Sequence, residues 1–162
     1  MGIEKPARDE TITSAWGKSV ADTLNRLGVG MLRAYSEDVL VDSTSSIIIP
    51  FAGVEVDSRV FFHPENGSVI ISEGRAGVFV VTAYLHVKGL PDDQWGRAYL
   101  YRNGVSFAGG SIVGAGGTSV PLSIAGIESF EEGDSLQVRV SFQNIATVTI
   151  ENVSMTRIAE NT

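Results

Sequence analysis

The chain has 162 residues, one domain's length, enough to bury a core without a disulfide or metal staple. Cysteine is absent, which excludes disulfides, thiolate metal sites and thiol catalysis. The net charge of −7 opposes a phosphate-neutralising surface, and no apolar run approaches the ~20 residues of a bilayer span, so neither nucleic acid nor membrane is an expected partner.

The opening residues, Met1 to Pro6, carry no apolar leader segment, and the expectation is a protein folded in a reducing cytoplasm. Thr11 to Leu27 lack proline and contain a single glycine, Gly17. Asp9, Glu10, Thr11 and Thr13 supply cap and first-turn signals, and Gly28 stops the pattern. Ile12, Trp16, Val20, Thr23 and Leu27 fall on one stripe, with Leu24 beside it, which predicts an amphipathic helix. A helix of this length is marginal alone. It either packs on its own domain or anchors the chain through Ile12, Trp16, Val20, Leu24 and Leu27. We take residues 1–30 as a helical anchor, 31–46 as a connector with little structure beyond one short strand, and 47–162 as the main domain.

From Ile47 the chain reads as short strands separated by turn signals, the pattern of an antiparallel sandwich. Gly77 to Val87 carries the strongest signal: Phe79, Val81, Ala83, Leu85 and Val87 share one face. The other face, with Val78, Val80 and Tyr84, is also apolar enough to call for a cover. Arg97 to Arg102 and Val105 to Phe107 flank Asn103-Gly104, a hairpin turn pair. Gly109 to Gly117 reads as a flexible loop, and Thr118 to Ile124 as the next strand. The acidic turn Glu131-Glu132-Gly133-Asp134 precedes a strand with Leu136, Val138, Val140 and Phe142 inward. In the last strand the apolar parity slips between Ile150 and Val153, which predicts a β-bulge at Glu151-Asn152.

Chemical motifs are sparse. The histidines, His63 and His86, lie on different strands and read as structural. No metalloprotease, nucleophile-elbow, Walker or dinucleotide motif occurs, and no acid, base and nucleophile set assembles, so an enzyme is not expected. No cofactor or metal is expected either. Asp92-Asp93 and the Glu131–Asp134 turn offer oxygens that could suit Ca²⁺, but neither matches a metal loop, and both read as solubilising turns. Trp95, Tyr99 and Tyr101 form the aromatic group with the most to offer: a subunit interface, a second core layer or a ligand platform.

Two resemblances follow from these residues. The succession Gly77-Val78-Phe79-Val80-Val81-Thr82-Ala83, Tyr99-Leu100-Tyr101-Arg102-Asn103-Gly104 and Glu132-Gly133-Asp134-Ser135-Leu136-Gln137-Val138 resembles the jelly roll of complement globular heads and tumour-necrosis-factor-like domains. The likeness spans roughly residues 47–158, but the aromatic-Ser-Gly-aromatic pattern usual near that family's C-terminus is replaced by Val148-Thr149-Ile150-Glu151-Asn152-Val153. Ile12 to Leu27 resembles the opening of tailed-bacteriophage appendage proteins. Together they imply a mainly β protein, a jelly-roll sandwich behind a short N-terminal helix, acting as a homotrimeric virion protein without catalysis.

In that reading Ile12, Trp16, Val20, Leu24 and Leu27 attach the chain to other virion proteins, and Val78, Val80, Tyr84, Tyr99 and Tyr101 form the subunit interface. The loop with Asp92, Asp93 and Trp95 would face the host surface. A tail-associated knob is preferred to a head decoration. The competing reading is a carbohydrate-binding jelly-roll module using Trp95 with Tyr99 or Tyr101. A signalling ligand of the tumour-necrosis-factor type is a weaker third.

Overall fold

The computed structural model describes residues 31–42, 44–57, 62–63 and 67–160. The expected helix at residues 12–27, with its proposed anchor positions, lies outside the described residues. The strands are β1 (Met31–Tyr35), β2 (Val39–Val41), β3 (Ile47–Ile49), β4 (Gly53–Asp57), β5 (Phe62–His63), β6 (Ser68–Ile70), β7 (Gly77–Lys88), β8 (Trp95–Arg102), β9 (Val105–Val113), β10 (Val120–Phe130), β11 (Ser135–Phe142) and β12 (Ala146–Ala159).

They form two antiparallel six-stranded sheets. Sheet A runs β10-β7-β12-β1-β4, with β2 also on β12; sheet B runs β5-β6-β11-β8-β9, with β3 also on β11. Period-two side chains put alternate residues into the space between the sheets. Phe79, Val81, Leu85, Val148 and Ile150 of sheet A meet Leu100, Leu136, Val138, Val140 and Phe142 of sheet B, all at most 1% exposed. This is the expected jelly-roll sandwich.

Several local expectations hold. The Asn103-Gly104 pair joins β8 to β9 with φ of +48° and +81°, the left-handed pair that a two-residue hairpin matching the strand twist requires. The register of β12 against β7 shifts between Ile150 and Asn152, so Glu151 is the extra residue of a bulge and Ile150 and Val153 both reach the core.

Two expectations are corrected. The supposed connector, residues 31–46, supplies β1 and β2, and the domain begins by Met31 rather than at residue 47. Leu32, Ala34 and Val41 are fully buried core residues. Ser36, between the two strands, closes the gap at the bulge: its N–H donates to Ile150 O at 2.9 Å, and its Oγ accepts from Ile150 N–H at 2.8 Å. The second correction concerns the glycine-rich stretch. Gly109 to Val113 is not a loop but the second half of β9. The glycines here serve packing: a Cβ at Gly109 would collide with the Tyr99 ring, and one at Gly110 would crowd Leu122. Only Gly114 to Ser119 forms the loop between β9 and β10.

Candidate interaction surfaces

Sheet A turns Val78, Val80, Thr82, Tyr84 and His86 of β7 outward, because their neighbours in the alternation fill the core. Register places Ser129, Ile127, Ala125, Ser123 and Pro121 of β10 beside them in that order. On the opposite flank β12 presents Thr156, Ser154, Asn152 and Thr149 beside Val80, Thr82, Tyr84 and His86. These fourteen positions contain no Asp, Glu, Lys or Arg. Ile127 is 65% exposed, and Ile158 near the same end is 56% exposed. In the middle, Thr82 Oγ1 and Ser154 Oγ share a hydrogen bond at 2.6 Å, which satisfies both hydroxyls within the face. The result is a smooth neutral surface with aliphatic residues at one end and Tyr84 edge-on to His86 at the other.

Charge flanks this strip: exposed Arg33 of β1 is beside Ser154 in the register, and an ion pair lies toward the His86 end. His86 Nε2 lies 3.1 Å from Glu151 of the β12 bulge, and its Nδ1 lies 3.0 Å from Ser119 Oγ in the β9–β10 loop. The three residues span Ser, His and carboxylate, but they sit on an open sheet with Glu151 half exposed. The adjacent cleft is lined by Arg33, Tyr35, Ser36, Thr149, Ile150, Glu151 and Asn152, not by Ser119 or His86. The arrangement fastens a loop to a bulge, in keeping with the structural reading of His86. His63 lies on β5, and its side chain is outside the described part.

The residues expected to form one subunit interface divide between two faces. Val78, Val80 and Tyr84 are on the outer face of sheet A, while Tyr99 and Tyr101 are on β8 of sheet B, across the core. Stacked sheets lie ~10 Å apart, so no single flat patch holds all five. The sequence shows that Tyr99 and Tyr101 share a strand face but not which sheet receives them. Tyr99 meets Tyr101 edge-on at 6.3 Å, and Arg139 of β11 lies over the Tyr101 ring at 4.5 Å. Trp95 opens β8 opposite Val113, with the Arg97 guanidinium over its ring at 4.9 Å. Asp92 and Asp93 lie in the exposed turn just before it, Asp93 at φ +61°. Among the described residues no group of three or more His, Asp or Glu is placed to hold a metal ion.

A polar network missed in the sequence joins two turns. Asp134, in the acidic turn, is buried and accepts hydrogen bonds from Arg102 Nε at 2.6 Å, Asn103 Nδ2 at 2.5 Å and the Glu131 N–H at 2.7 Å. Arg102 also reaches Glu128 at 3.2 Å, and Asn103 Oδ1 accepts from the Ser135 N–H at 2.9 Å. Burial pushes the Asp134 carboxyl up, but the Glu131 amide, Asn103 and the Arg102 hydrogen bond and charge together hold it below the usual carboxylate value. Burial likewise pulls Arg102 down, and Asp134 and Glu128 outweigh it to raise the guanidinium. A signal was present: the Arg-Asn-Gly hairpin and the Gly-Asp turn end neighbouring strands β8 and β11.

No family model matches this chain, and no characterised protein matches it by sequence. Solved structures do match by shape. The globular domain of zebrafish complement 1qA protein superposes with a TM-score of 0.61 at 12% identity, covering 82% of this chain and 99% of that one. Murine APRIL at pH 5.0 superposes with a TM-score of 0.60 at 8% identity, covering 80% of this chain and 99% of that one. These likenesses establish the fold: a jelly roll of the complement-head and tumour-necrosis-factor-like kind.

Proposed function

We propose that this chain is a non-enzymatic virion protein of a tailed bacteriophage, a homotrimeric jelly-roll head joined to the particle by its N-terminal segment. The observation that carries the self-association is the uncharged β10–β7–β12 strip on the outer face of sheet A, where the described residues leave Ile127 exposed and Val78 and Val80 half-buried. An uncharged strip whose central Thr82 and Ser154 hydroxyls bond each other loses little solvation on contact and gains apolar burial. Threefold closure follows the jelly-roll resemblance, and closed symmetry is the common way for copies to hide such a face. The virion assignment leans on the likeness of Ile12 to Leu27 to phage appendage openings. We place the protein on the tail as a knob, assembled in the bacterial cytoplasm, with other virion proteins as its partners.

The test removes residues 1–30. The remaining chain keeps every described strand, and it is expected to form the same assembly yet fail to enter particles. Normal incorporation of the truncated form would overturn the anchor. Labelling intact particles on this chain separates a tail knob from a head decoration.

A further inference from the structure

The outer face of sheet B has a composition at odds with the rest of the chain. Its strands β3, β5, β6, β8, β9 and β11 contain Arg97, Arg102 and Arg139 but no aspartate or glutamate, in a protein of net charge −7. Arg102 is committed to Asp134 and Glu128. Arg97 and Arg139 point to the outer face instead, resting on Trp95 and Tyr101, and neither meets a carboxylate among the described residues. Arg139 directs Nε and Nη2 to the Gln137 side-chain oxygen at 3.3 and 3.0 Å, which fixes its plane. Arg139 is opposite Tyr99 in the register, so Arg97 is its diagonal neighbour, about 7–8 Å away along the backbone.

Trp95, Arg97, Tyr99 and Tyr101 alternate along one side of β8, a run of about 20 Å at strand rise. The surface is a strip, aromatic rings interleaved with two guanidinium groups that the protein itself does not neutralise. Guanidinium forks match carboxylate and sulfate oxygens, and aromatic faces accept the apolar faces of sugar rings. A nucleic acid fits less well, because two available arginines release few counterions.

We propose that the outer face of sheet B binds an extended acidic glycan, its anionic groups held by Arg97 and Arg139 and its rings laid on Trp95, Tyr99 and Tyr101. This goes beyond the particle assignment and does not rest on it. The site lies across the core from the proposed subunit contact and is complete in one chain.

Affinity electrophoresis of the full chain at low salt tests it, in gels carrying polygalacturonate, dextran sulfate or neutral dextran. Retardation in an acidic gel with none in dextran is expected, and comparing the two acidic gels separates carboxylate from sulfate as the anion. The paired substitution Arg97→Gln with Arg139→Gln should weaken the effect by roughly tenfold or more per guanidinium, with the circular dichroism spectrum unchanged. Trp95→Ala should weaken it separately. Equal mobility in all gels would overturn the proposal. So would retardation that survives the paired substitution, or equal retardation by oligothymidylate, which would mark a generic response to polyanions.

Discussion

Asp134→Ala should be the most damaging single change to the domain's polar structure. The carboxylate receives three donors, from Arg102, Asn103 and the Glu131 backbone, and its side chain is only 11% exposed. Each hydrogen bond to a charged group contributes about 1.5–3 kcal/mol. Arg102 keeps Glu128, and exposed Asn103 can turn to water, so part of the loss is recovered. The Glu131 N–H loses the carboxylate as its acceptor. The net cost is about 3 kcal/mol, a fall of about 6–12 °C in Tm for a domain of this size. Asp134→Asn, which keeps an acceptor without the charge, should lose about half as much.

Acid provides an independent check on that network. The folded pKa of Asp134 lies below its unfolded value. Its stabilisation is therefore fully present above about pH 4 and is lost as pH falls through the folded value. Calorimetry should show the gap between the native chain and Asp134→Ala wide at neutral pH and narrowing in acid. A gap under about 2 °C at neutral pH, or one that stays constant into acid, would refute the reasoning.

Three further outcomes are expected. Gly114→Ala should destabilise the domain by several kcal/mol or prevent folding, because its Cβ would overlap the Pro91 carbonyl oxygen, a backbone atom with no room to yield; soluble yield and Tm report it. Gly109→Ala should cost less, about 1–2 kcal/mol, since the Tyr99 ring can swing outward, and its Tm should lie well above that of Gly114→Ala. Ile127→Glu, at a 65%-exposed position, should leave the Tm of an isolated chain nearly unchanged but disperse the assembly in sedimentation velocity.

What was legible in the sequence was local. The alternation of β7 and β11, the Asn103-Gly104 turn and the bulge at Glu151 are each carried by residues a few positions apart. What stayed hidden depended on distant partners. β1 alternates over only five residues, and its place in the sheet comes from pairing with β12 at the far end of the chain. Gly109 and Gly110 have the composition of a loop; only the side chains packed over the strand, Tyr99 and Leu122, explain them. The two candidate surfaces illustrate the same limit. Parity along β8 groups Trp95, Arg97, Tyr99 and Tyr101, but the assignment of β8 to sheet B decides that they face away from Val80.

Sedimentation equilibrium of the intact chain at micromolar concentration is the most direct trial of the covered-face argument. A single species at three times the 17.2 kDa chain mass is expected, shifting to one chain mass when Val80 and Ile127 are both replaced by glutamate. A native protein that sediments at 17.2 kDa across that range would mean that no second copy covers the outer face of sheet A, and the assembly built on it would fall.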